Sequence, residues 1–196
     1  MSYQKLLDFF KNEGIVLLEN DGILPLKTGS RVAIVGEFAE KPRYQGAGSS
    51  MVNPTQLVSA KDAFDAAGIQ YTYQLGYHED GDTCDEEWEA QALAAAADAD
   101  VVLFFGGLTE MFESEGFDRR DLSLPSCQLR LIEKLSRTNE NIVAVMFGGS
   151  AFEVPFADKV NSILGYSTTL GRKCTPRDSF KERAEKRLKK VEKFCI

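Results

Sequence analysis

Between Leu108 and Leu124 the chain reads LTEMFESEGFDRRDLSL, which places five carboxylates and two guanidinium groups within seventeen residues. Charges this close perturb one another. Glu113 and Asp118 would raise the pKa of a carboxyl lying between them, and Arg119 would lower it. Glu115 lies at that crossing point, and the residues alone leave the direction open. A carboxyl tuned in this way can donate or accept a proton in a reaction. On charge alone the plainer reading is a solvated loop carboxylate, with an Asp118–Arg119 pair simply bracing the loop.

Other groups carry weaker signals. Gly46-Ala47-Gly48-Ser49-Ser50 has a phosphate-loop look, but it lacks the Lys and the third Gly and lies about ten residues past a strand end. It is better read as a loop shaping a surface. Neither Ser49 nor Ser150 stands in a Gly-x-Ser-x-Gly elbow. His78, beside Glu79 and Asp80, reads as a surface histidine. Cys84, Cys127, Cys174 and Cys195 are scattered, without a Cys-x-x-Cys pair and with one histidine in the chain. That pattern disfavours a metal site and favours free thiols in a reducing compartment.

The elements around the acidic stretch suit a site. Val101-Val102-Leu103-Phe104-Phe105 is a continuous apolar run, as in a strand buried on both faces. Gly106-Gly107 ends it, and Pro125 suits the first position of a following helix. The stretch is thus a long loop at the carboxyl end of a strand, where open α/β sheets bind ligands. Further strands are expected over Arg31–Val35, Ile69–Leu75, Ile142–Phe147 and Val160–Leu164. Helices are expected over Tyr3–Glu13, from Pro54 or Thr55 to Ala67 with Leu57 and Val58 on the apolar side, over Asp85–Ala97, and over Gln128–Ser136. Asn20-Asp21-Gly22 is turn chemistry, and Pro25 closes a short hydrophobic hook. The alternation predicts an α/β fold, a mostly parallel doubly wound sheet with helices on both faces. Five strands are visible.

A hydrophobic content of 43% can fill one sizeable core in 196 residues. The net charge of −7 is uneven. Residues 171–196 hold ten Lys/Arg against four Asp/Glu, a balance of +6, which leaves the rest at −13. An acidic body does not suit a nucleic-acid binder. No apolar run approaches the roughly 18 residues of a membrane span, and the start is amphipathic rather than a leader, so a cytoplasmic location is expected. Residues 178–194 put Phe180, Ala184, Leu188 and Val191 on one side of an expected amphipathic helix.

Several segments, in order and spacing, resemble family 3 glycoside hydrolases, the β-glucosidase family. Glu113-Ser114-Glu115-Gly116-Phe117-Asp118-Arg119, with Leu122-Ser123-Leu124-Pro125 and Gln128, resembles the family's acid/base loop. Glu13 to Leu26 resembles the start of its α/β sandwich domain, and Tyr44 to Ser50 its Gly/Ser-rich loop. The likeness runs from about Leu6 to about Leu164 and departs near Gly165. This divides the chain into a sandwich domain, 1–165, and an atypical basic tail, 166–196, that reads as truncation, a frame change or foreign sequence.

The resemblance implies a six-stranded α/β sandwich and hydrolysis of β-glycosides with retention. It implies that Glu115 is the general acid/base, with Glu113, Asp118 and Arg119 binding substrate or bracing the loop. It implies no metal and no organic cofactor. In retaining enzymes a second carboxylate, about 5–5.5 Å from the first, is the nucleophile. In this family it is an aspartate on a separate (β/α)8 barrel, and no barrel fits in this chain. The expected partners are therefore that barrel and a β-glycoside, with no nucleic acid and no membrane. Met1 stands close to the start of the likeness, which suggests either a sandwich placed ahead of the barrel or, equally, an artificial boundary of the sequence. The isolated chain is expected to be inactive, with Glu115 solvent-exposed, the loop mobile, and the uncovered surface favouring a homodimer. The competing expectation is a non-catalytic carbohydrate-binding or interaction module of the same fold.

Overall fold

The computed structural model describes residues 15–49, 51, 53–54, 57–78, 80, 82–116 and 118–167. The helices expected over Tyr3–Glu13 and 178–194 lie outside these. Six strands form one sheet: β1 (Ile15–Asn20), β2 (Val32–Val35), β3 (Tyr71–Gln74), β4 (Val101–Gly107), β5 (Ile142–Gly148) and β6 (Ser162–Ser167). Their spatial order is β1-β6-β5-β4-β2-β3. All neighbours are parallel except β1, which runs antiparallel to β6.

The helices are α1 (Ala60–Ala66), α2 (Glu86–Asp98) and α3 (Ser126–Thr138). From β2 the chain moves outward through α1 to β3. It then returns through α2 to β4, on the other side of β2. Reversing direction with crossovers of one hand puts the helices on opposite faces. One face carries Val35, Phe104, Ala144 and Met146 against Ala92 and Ala96 of α2 and Leu131, Ile132 and Leu135 of α3. The other carries Ile34, Leu103, Phe105 and Phe147 beneath Phe38, Phe64 and the Ile23–Leu26 hook. Every residue of β4 is buried, as its unbroken apolar run requires.

Three expectations need correction. The five strands visible in the residue pattern become six, as the resemblance implied: Ile15–Asn20, to which the pattern assigned no strand, pairs Ile15 with Tyr166 and Asn20 with Ser162. It is an edge strand with Ile15 and Val16 exposed, so it lacks the buried-strand signature. The helix expected from Pro54 or Thr55 begins at Ala60 instead. Ser59 and Asp62 close a reciprocal capping box there, and Leu57 and Val58 stay outside it, exposed. Finally, Cys84 and Cys127 are not free thiols but a disulfide, with Cα atoms 5.4 Å apart. Beyond the expected Leu164, β6 continues to Ser167.

Candidate active site

Strand order reverses between β2 and β4, and the loops leaving their carboxyl ends meet over that crevice. Such switch points are where open α/β sheets bind ligands. The β2 loop brings Arg43, Gly48 and Ser49, and the β4 loop brings Glu113, Glu115 and Arg119. Gly107, the last residue of β4, is held by the buried Gln128 of α3, whose Oε1 accepts its N–H at 2.7 Å. This fixes where the acidic loop departs from the sheet.

Glu113 is a joint rather than a free carboxylate. Arg43, 7% exposed, donates from Nη1 to Glu113 Oε2 at 2.7 Å and to Leu108 O at 2.7 Å, and from Nη2 to Glu113 O at 2.8 Å. The Gly149 N–H donates to the same carboxylate at 2.9 Å. Burial pushes the Glu113 carboxyl up. Hydrogen bonds from Ser150 and Gly149 and the charge of Arg43 outweigh it and hold the group below the usual range. Three loops, those after β2, β4 and β5, are thereby pinned at one point.

Glu115, two residues on, is exposed, as expected. Its Oε2 accepts from the Ser49 N–H at 2.8 Å and from Ser49 Oγ at 2.5 Å. These bonds favour the charged form and lower its pKa, which settles the direction left open by the sequence. Gly48 makes the approach possible: its φ is +94°, and a Cβ there would lie 2.8 Å from Glu115 Oε2. The phosphate-like turn therefore cradles the chain's own carboxylate.

Asp118 and Arg119 do not form the expected brace with each other. Asp118 is exposed and makes no hydrogen bond or ion pair among the described residues. Arg119 does brace the loop, donating to Ser150 Oγ at 3.2 Å, Ala151 O at 2.6 Å and Ser123 O at 3.1 Å. It helps line an open hollow of about 450 Å³ with Arg120, Asp121, Leu122 and Ser150. His78 is half-exposed, stacked on Trp88 with ring centroids 4.2 Å apart. Among the described residues no cluster of His, Cys, Asp or Glu could hold a metal ion, and no helix is long and apolar enough to cross a membrane.

Residues 15–171 match the glycosyl hydrolase family 3 C-terminal domain. The chain belongs to glycosyl hydrolase family 3. It is 44% identical over 156 residues to thermostable beta-glucosidase B of Acetivibrio thermocellus, covering 78% of this chain and 21% of that protein. It is 42% identical over 163 residues to an exo-alpha-(1->6)-L-arabinopyranosidase of Bifidobacterium longum, covering 78% and 22%. Its fold matches the crystal structure of the Bifidobacterium adolescentis GH3 beta-glucosidase with a TM-score of 0.77 and 39% identity, over 84% of this chain and 25% of that one. The chain thus spans about a fifth of the length of these curated relatives.

The site of this family 3 domain also rests on two residues the sequence did not single out for it. Arg43 carries no local signal, since its partners lie 65 and 70 positions away. Ser49 stands in the Gly/Ser-rich turn with no sequence signal toward the acidic loop, and it is a hydrogen-bond donor to Glu115. Two predictions follow from Glu113. Arg43→Met should destabilise the domain by about 2–4 kcal/mol, because it strands a partly buried carboxylate. Adding Glu113→Gln should cost less than the sum of the two single changes, since they share one network. Urea unfolding of the three variants tests this first prediction.

The second concerns pH. The folded Glu113 pKa lies below the ordinary 4.5, so its stabilisation is fully present above that value and is lost as pH falls through the lower folded value. Glu89 behaves likewise. Burial raises its carboxyl, but Lys134 and Arg130 of α3 outweigh that and lower it. Thermal unfolding midpoints should be flat from pH 7 to 5 and drop below about 4.5. In Glu113→Gln the drop should be shallower.

Proposed function

We propose that this chain is the α/β sandwich domain of a retaining β-glucosidase-like hydrolase and that Glu115 is its general acid/base. One observation carries the reading. Glu115 is presented from a pinned loop at the sheet's switch point, its carboxylate facing solvent, within the family's acid/base motif. Among the described residues none is assigned the nucleophile's role, and the family resemblance places that role on an aspartate of a separate (β/α)8 barrel.

Ser49 holds Glu115 in its ionised form here. That is the form needed to activate water in the second half of a retaining reaction. Donation to the leaving oxygen in the first half needs the protonated form, so the barrel and bound substrate must raise this pKa, by desolvation and by the charge of the nucleophile. The sugar is chosen elsewhere. Relatives of similar identity over this domain are named for glucosides and arabinopyranosides, and more distant ones for xylosides. No metal or cofactor takes part in the proposed chemistry.

The test is the leaving-group dependence of Glu115→Ala in an enzyme that contains this domain. Selective loss on poor leaving groups supports the reading. Equal loss on all, or none, favours a non-catalytic carbohydrate-binding or interaction module.

A further inference from the structure

The turn that follows β3 takes no part in this chemistry, yet it is tied to both ends of the acidic loop. At the near end, Thr109 Oγ1 donates to Asp80 O at 2.7 Å. At the far end, the N–H and hydroxyl of Ser126 donate to Asp82 Oδ1 at 2.8 and 2.6 Å. Close beside that contact, Cys84 is disulfide-bonded to Cys127, 43 positions away. The turn is itself stiffened, since Asp80 Oδ1 accepts the N–H groups of Asp82 and Thr83 at 3.0 and 2.8 Å. At its other side Asp85 caps α2. Two hydrogen-bonded ties and one covalent tie thus fix the spacing of Thr109 and Ser126, between which the chain carries Glu115.

We propose that Asp80, Asp82 and Cys84 form a clasp that positions the Glu115 loop, and that the Cys84–Cys127 disulfide is its redox-sensitive lock. The catalytic consequence rests on the reading of Glu115 given above, while the clasp itself concerns only the order of the loop. Cys127 is buried and Cys84 half-buried, so Cys84 is the less shielded of the two and the sulfur assigned to the incoming thiolate. It bonds there, the S–S bond breaks, and the electron pair leaves on Cys127 Sγ. That sulfur lies in the first turn of α3, where the helix N-terminus favours a thiolate leaving group. With dithiothreitol, the second thiol of the reagent attacks the mixed disulfide, releases Cys84 as a thiolate and closes the oxidised ring. Both protein thiolates then take protons from the medium. Reduction leaves only the hydrogen-bonded ties.

The experiment uses the full chain. After free thiols are alkylated, a non-reducing digest should contain a peptide pair linked through Cys84 and Cys127. Its absence overturns the lock. Amide exchange is then compared with and without dithiothreitol. Exchange in residues 108–124 should become about tenfold faster on reduction, while β2, β4 and β5 stay unchanged. Cys84→Ser should match the reduced protein and no longer respond to the reagent, although Cys174 and Cys195 remain. Asp82→Ala should speed exchange of the same loop with the disulfide intact. Equal loop exchange in both redox states, or a rise shared by the whole sheet, contradicts the clasp. None of these readouts requires turnover, so a failed acid/base assignment and a failed clasp are separable.

Discussion

Gly107→Ala should abolish the folded domain, or destabilise it by about 4 kcal/mol or more. Gly107 ends β4 with φ at +137°, and a Cβ there would sit 2.0 Å from Phe147 O and 2.5 Å from Phe147 N. Those atoms cannot yield cheaply. Gly107 is paired with Phe147 across the sheet, and Phe147 O accepts the Leu108 N–H at 2.8 Å. A shift large enough to admit a methyl group would break the ladder at the root of the acidic loop. Domains of this size have about 5–15 kcal/mol to lose, so insoluble expression is the expected outcome. Gly116→Ala is the control. Its φ is +91°, but nothing lies within 4 Å of the added carbon. It should therefore cost only the backbone strain, about 1–2 kcal/mol. If both variants unfold alike in urea, steric crowding at Gly107 is not the cause.

What could be read from the residues follows how local each signal is. β4 was legible because Val101–Phe105 is apolar without interruption, which a strand covered on both faces demands. α2 was legible from Asp85, whose side chain caps the helix, and from its alanine-rich body. The Ser59 capping box was present in the sequence too. The apolar Leu57 and Val58 before it drew the expected boundary too early. β1 was not legible, because its partner lies some 150 residues away and its outer positions are exposed. The acidic loop stood out by charge density, and the family motif pointed to Glu115 within it. The residues holding it in place did not stand out, because Arg43 and Ser49 reach it across 70 and 66 positions. The Cys84–Cys127 bond was missed for the same reason, since spacing alone carried no pairing.

Glu115→Ala should produce the largest functional effect. The vehicle is a graft of this chain in place of the matching fifth of the Acetivibrio thermocellus beta-glucosidase B, used once the unaltered graft is shown to be active. A positioned acid contributes about 10²–10⁴-fold, and only where the leaving oxygen needs a proton. An alkyl or cellobiose-type β-glucoside should therefore lose activity on that scale. A dinitrophenyl β-glucoside, whose leaving group departs unaided, should keep glycosylation nearly intact and stall at the glycosyl-enzyme, because the base for water is gone. Kinetically, that is a burst followed by slow turnover with a lowered KM. Ser49→Ala should leave the carboxyl in place but remove one hydrogen bond to its charged form. The limb of the pH–rate profile set by Glu115 should then move to higher pH. The isolated chain, which corresponds to only about a fifth of that enzyme, should turn over neither substrate.

The most direct measurement adds azide to the Glu115→Ala graft acting on the dinitrophenyl β-glucoside. A small anion needs no general base, and the vacated carboxylate leaves room for it. If Glu115 is the acid/base, azide should restore turnover and the product should be the β-glucosyl azide, the configuration required by attack on a covalent intermediate. Unchanged rates with azide and glucose as the sole product, in a variant that remains folded, would contradict the assignment of Glu115.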